Sequence, residues 1–178
     1  MLVTVILIGV ALLIALIVVF IVLHKKKVER TKYHTAAGNT LREEYLNYSL
    51  QNQSGSCGLS EKSGYKVMIY IKTRLRNKKI QYVFNPEKSI LIGRDKYESN
   101  IYVSDNTVSK KHCRICLCDG QVCLEDLNAA NGTILKRGLR KKYNIYGGNR
   151  IRLRTNDKII IGSSVFKVIL FSYDMSTL

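Results

Sequence analysis

Residues 2–23 form an unbroken apolar run, rich in Val, Ile and Leu and free of charge. As a helix rising about 1.5 Å per residue, the run reaches about 33 Å, enough to cross a bilayer core. It lacks the basic start, the short apolar stretch and the small-x-small exit of a cleaved leader, so it reads as one transmembrane helix. Lys25, Lys26 and Lys27 follow directly. Flanking positive charge stays cytoplasmic. The expected topology is a single-pass protein of the cell membrane, with everything from His24 onward inside.

Residues 24–63 lose the apolar run without gaining another period. Gly38-Asn39 and the stretch 52–58 (NQSGSCG) are polar and glycine-bearing, which predicts a cytoplasmic linker. A short helix is expected within it, where Thr40 and Glu43 have capping-box spacing ahead of Leu41, Tyr45 and Leu46. As coil, a linker of this length reaches about 35 Å.

From residue 64 the pattern changes to period two, beginning with Val67, Ile69 and Ile71 in residues 65–73. Further strands are predicted at residues 80–84, 89–92 and 100–103. Residues 112–118 and 121–127 read as a hairpin around Asp119-Gly120. Another strand begins at Thr133, and others follow at 150–153, 158–161 and 164–171, with a turn at Asn156-Asp157. No long helix is predicted after Gly64. The expected fold class is all-β, a two-sheet antiparallel β-sandwich occupying residues 64–178 and preceded by the single transmembrane helix.

Charge sharpens the picture. The chain holds 29 Lys and Arg against 13 Asp and Glu, a net +16. Residues 64–178 carry 22 and 9 of these, so +13 belongs to the β domain. Such a field attracts phosphates, nucleic acid or anionic lipid without choosing among them.

Three polar clusters interrupt the strands: Gly93-Arg94, Ser109-x-x-His112 and Asn131-Gly132. They supply a guanidinium fork, a hydroxyl and a carboxamide, with Lys110 adding a second cation. No nucleophile is paired with a base and an acid at a recognisable spacing, so the set suits gripping an oxyanion and not catalysis. His112 has only His24 and His34 as company, both in the predicted linker. Cys113, Cys116, Cys118 and Cys123 lie on an alternating strand and its hairpin partner, not on paired metal knuckles. Cys113 is expected to face the core with Ile115 and Leu117, and Cys116 and Cys118 the opposite side. No metal and no cofactor is expected.

The clusters, in this order and at these intervals, resemble the forkhead-associated (FHA) family of phosphothreonine-reading β-sandwiches, over residues 65–171. The resemblance implies that Arg94, Ser109, Lys110 and Asn131 bind a phosphopeptide. Ser109 would offer its hydroxyl and backbone N–H to the phosphate, and Asn131 would pair with the peptide backbone. Gly93, His112 and Gly132 would support the loops. The family often has a hydroxyl residue just before that Asn, where this chain has Ala130. The partner implied is a threonine-phosphorylated protein, a Ser/Thr kinase or its substrate, bound by a non-enzymatic membrane adaptor. Small membrane-anchored bacterial relatives associate with cell-wall synthesis, division or secretion. The competing readings are electrostatic binding of anionic lipid or nucleic acid by a basic face, or a structural part of a membrane assembly. Nucleic acid is the less favoured partner, since no stacking motif or helix-turn-helix pattern accompanies the charge.

Overall fold

The computed structural model describes residues 1–51, 64–76 and 78–178. The chain divides into two compact units, residues 1–36 and 37–178. The first is helical, and it is the start of α1 (Leu2–Gln51). Its apolar side chains are exposed on every side, from Val3 to Val28. A helix apolar all round and unburied matches a membrane-crossing segment in length and composition, as a signal sequence also does.

The second unit begins with the rest of α1 and continues into eleven strands. These are β1 (Tyr65–Leu75), β2 (Lys78–Phe84), β3 (Ile90–Gly93), β4 (Ile101–Tyr102), β5 (Cys113–Cys118) and β6 (Gln121–Asp126), then β7 (Thr133–Arg137), β8 (Lys141–Ile145), β9 (Arg150–Arg152), β10 (Lys158–Ile161) and β11 (Ser164–Asp174). Sheet A runs β2-β1-β11-β10-β7-β8 and sheet B runs β4-β3-β5-β6-β9. Between them lies the core, where Ile69, Ile71, Ile92, Ile115, Leu124, Leu135, Ile159 and Phe166 are fully buried. Each such side chain contributes about 1.5–3 kcal/mol by leaving water.

Most predicted strands appear within two or three residues of their expected limits. Asp119 and Gly120 both take positive φ (51° and 69°), the backbone that a two-residue type I′ hairpin requires. Cys113 is buried, while Cys116 and Cys118 share the other face with their sulfurs 3.5 Å apart. Three features differ from expectation. The β3–β4 pair is parallel, so sheet B is mixed and not purely antiparallel. β8 is an additional strand, hidden in the sequence because its Lys141-Lys142 opening masks the inward pair Tyr143 and Ile145.

The third concerns the predicted linker. It is helical up to Gln51, and residues 52–58 and the rest of its second half lie outside the described residues. Thr40 and Glu43 sit inside a helix and do not start one. The reason is tertiary. Ala37 and Leu41, one turn apart, pack on Met68 and Tyr173 of the outer face of sheet A and on Met175, just past β11. Glu44 accepts a hydrogen bond from Asn85 Nδ2 (3.0 Å) and pairs with Lys88 (3.4 Å). Gly38, which reads as a breaker alone, is the small residue facing the Tyr173 hydroxyl. Packing of this kind overrides the intrinsic cost of a helical glycine, about 1 kcal/mol. It also explains why β1 is buried on both faces at its centre, where Met68 and Tyr70 point away from the sandwich core.

Candidate functional site

The three polar clusters meet at one end of the sandwich. Arg94 lies just past β3, Ser109, Lys110 and His112 in the β4–β5 loop, and Asn131 and Gly132 in the β6–β7 loop. Backbone bonds fasten the first two segments: Arg94 N–H donates to Ser109 O (2.9 Å) and Asp95 N–H to Lys110 O (3.1 Å). That approach explains Gly93, since a Cβ there would collide with the Lys110 carbonyl oxygen.

His112 is fully buried and joins the other pair of loops. Its Nδ1 accepts the Ser109 N–H (3.1 Å), and its Nε2 lies 3.1 Å from Gly132 O. A nitrogen that accepts cannot carry the proton, so the ring is the neutral tautomer with Nε2–H donating to Gly132. Burial lowers its pKa from the ordinary value, against the opposing pull of the Gly132 bond and the Asp126 charge. This arrangement alters one expectation: the Ser109 N–H is engaged by His112, which leaves the hydroxyl as the serine's donor. Ser109 Oγ itself accepts Ala130 N–H (3.2 Å), adding another tie between the loops.

The outward-facing groups remain open. Arg94 Nε donates to Val108 O (3.0 Å), which fixes the side chain while its two terminal nitrogens have no partner among the described residues. Lys110 is exposed and likewise without an ion pair among them. Asn131 Nδ2 donates to Thr107 O (2.8 Å), leaving its carboxamide oxygen free to accept. Gly132 takes φ +64°, and a Cβ there would strike the Tyr146 ring. A fork, an ammonium, a hydroxyl and an amide are therefore held on one surface by a buried brace. Such a set can bind a tetrahedral dianion and an adjacent peptide group.

Several supporting residues escaped the sequence reading. Asp105 accepts from Thr107 N (2.9 Å) and Oγ1 (2.6 Å), and from Ser163 N (3.1 Å) and Oγ (2.8 Å). These bonds tie the β4–β5 loop to the β10–β11 turn and hold the carboxyl far below the usual carboxylate range. Asp-x-Thr is a self-capping turn form, the one signal that marks it. Together with Ser104, Asn131 and Gly162, these residues line a shallow depression beside the site. Buried Asp126 frames the β6–β7 loop, accepting from Ala129 N (3.1 Å) and Thr133 Oγ1 (2.7 Å).

Residues 90–162 match the family model of the FHA domain, and this segment contains all three clusters. The chain carries an FHA domain. The family is a phosphopeptide-recognition module and not a catalytic one. Among solved structures, the FHA domain of the CT664 protein from Chlamydia trachomatis is similar, at 21% identity and a TM-score of 0.48 over 57% of this chain and 96% of that one. The FhaA FHA domain, complexed with the intracellular domain of Rv3910, is 24% identical with a TM-score of 0.44, over 58% and 99%. Mycobacterium tuberculosis EmbR, in complex with a low-affinity phosphopeptide, is 17% identical with a TM-score of 0.46, over 62% and 27%. No curated protein matches the sequence.

Proposed function

We propose that this FHA domain binds a phosphothreonine peptide through Arg94, Ser109, Lys110 and Asn131. In this reading Gly93, His112 and Gly132 hold the loops, and the chain serves as a membrane adaptor in Ser/Thr kinase signalling. The apolar helix would anchor it, with the domain of residues 64–178 in the cytoplasm, where threonine kinases act. The observation that carries the reading is the open guanidinium fork of Arg94, fixed by Val108 O beside the Ser109 hydroxyl. A phosphothreonine brings about −1.5 to −2 charges and three acceptor oxygens to such donors. Ala130 offers no hydroxyl, so one phosphate contact common in the family is missing, which weakens affinity more than it changes the binding mode; its backbone N–H donates to Ser109 Oγ.

A basic surface alone also attracts phosphopeptides, so the test separates a pocket from a field. The full chain in detergent is titrated with phosphothreonine and phosphoserine peptides at two salt concentrations. Phosphoserine, lacking the methyl, is expected to bind more weakly by about 1–3 kcal/mol. Arg94→Ala is expected to cost about 2 kcal/mol or more, whereas Arg140→Ala, an equal change of charge outside the site, costs only salt-sensitive attraction. Equal losses from both variants, with no preference between the two phosphoamino acids, refute the pocket.

A further inference from the structure

The strand register of sheet A assembles a feature that no sequence motif announces. Lys142 on β8 faces Lys136 on β7, Lys136 faces Lys158 on β10, Lys158 faces Lys167 on β11, and Lys167 faces Lys72 on β1. Paired residues point to the same side of a sheet, and the neighbouring Leu135, Ile159, Phe166 and Ile71 fill the core. All five lysines therefore stand on the outer face, one per strand, in a row crossing about 19 Å at about 4.8 Å per strand. The six strands of this sheet contain a single carboxylate, Asp174, at the end of β11 and bonded to Ser176. Lys136, Lys142, Lys158 and Lys167 have no ion pair among the described residues.

Like charges directly opposite one another in a sheet destabilise it. The cost shows at Lys72, whose pKa is lowered first by burial and then by the charge of Lys167. Sheet B handles its charge otherwise: Arg114 and Arg150 both close on Glu125. Four adjacent lysines without an ion pair among the described residues, Lys142, Lys136, Lys158 and Lys167, fit an extended anionic surface better than a single ion. Directly beside it on the same face runs an aliphatic row of Ile134, Ile160 and Val165, with Val165 exposed. The aromatics of this face are not available for stacking, since Tyr70 and Tyr173 are buried and Phe171 packs in the cluster under α1. Lysines next to aliphatic side chains suit phospholipid headgroups and the acyl boundary, whereas single-stranded nucleic acid calls for exposed rings.

We propose that the outer face of sheet A, centred on Lys136, Lys158 and Lys167, is a docking surface for an anionic phospholipid bilayer. It lies on a different face of the domain from the phosphopeptide site and does not depend on that site's ligand. Each lysine at an anionic membrane surface strengthens association about fivefold.

The test reconstitutes the full chain in nanodiscs of phosphatidylcholine, with or without about one third phosphatidylglycerol, and measures acylation of each lysine by mass spectrometry. In the anionic discs Lys136, Lys158 and Lys167 are expected to react about fivefold or more slowly, while Lys96 is unchanged. High salt should abolish the difference. The variant Lys136→Gln/Lys158→Gln/Lys167→Gln should lose the protection of Lys142, and the charge-matched Lys96→Gln/Arg152→Gln/Arg154→Gln should keep it. Equal rates in the two discs, or equal slowing of Lys96, overturn the proposal. Protection by an added oligonucleotide, with none from phosphatidylglycerol, overturns it in favour of nucleic acid. If the helix does not enter the discs, the same rates are read on the chain mixed with vesicles of both compositions, with the same consequences.

Discussion

If His112 is a brace and not a ligand, its removal should damage the fold and the site together. In His112→Ala the Ser109 N–H loses its acceptor and Gly132 O loses its donor, both at 3.1 Å in the intact protein. Each orphaned buried group costs about 1–3 kcal/mol. The vanished ring leaves a cavity between loops whose backbones are otherwise joined, costing a further ~2 kcal/mol. Since the terms share neighbours and do not add fully, we expect a loss of about 3–5 kcal/mol, a large part of a domain's usual stability. Urea unfolding of the chain in detergent, followed by β-sheet circular dichroism, measures it. His112→Gln, with a donor and an acceptor on one side chain, should recover part of the loss. Phosphopeptide affinity should fall in step with the loosening of Ser109 and Gly132. A variant that unfolds at the wild-type urea concentration yet binds no phosphopeptide would refute the brace and make His112 a direct ligand.

The same residue sets a pH dependence. Its folded-state pKa lies below the unfolded value of about 6.5, so below that pH the unfolded chain takes up the proton first. Stability from this group is complete above pH ~6.5 and declines as the pH falls from there to the lowered folded value; no decline in the unfolding midpoint across that interval would contradict the assignment. Gly132→Ala places a Cβ on the Tyr146 ring at φ +64°, and should lower stability by about 1–3 kcal/mol and weaken phosphopeptide binding more than Gly138→Ala, a similar backbone with open space around it. Asp157 is buried and accepts both Arg137 Nε (2.9 Å) and Nη2 (2.7 Å), with Arg154 N–H at 2.8 Å. Asp157→Ala should cost about 3–5 kcal/mol in the same unfolding assay, because it strands the Arg137 cation.

The strands were legible because they are short and amphipathic and their turns are chemically marked. Asp119-Gly120 can hardly be anything but a hairpin turn, and the inward row of β5 follows from alternation alone. The polar clusters were legible because each sits where an apolar run stops. Three things were not. The helix beyond His24 depends on Ala37 and Leu41 finding Met68 and Tyr173, a contact between residues far apart in sequence whose local signals, Gly38 and Asn39, point the other way. Asp105 and Asp126 escaped the sequence reading, because only the folded loops give them the donors that make them ties. Charge was the most misleading of all. Arg137, Arg150 and Arg114, which in the sequence add to the basic charge, pair with the buried carboxylates of Asp157 and Glu125. Lys72, Lys136, Lys142, Lys158 and Lys167 look unrelated along the chain, yet pairing places them side by side. A slip of one residue in any one strand would turn its lysine into the core. The hydrophobic pattern that fixes register against such a slip therefore also fixes the row of charge, and a surface with a defined chemistry emerges from residues selected, one strand at a time, for facing away from the core.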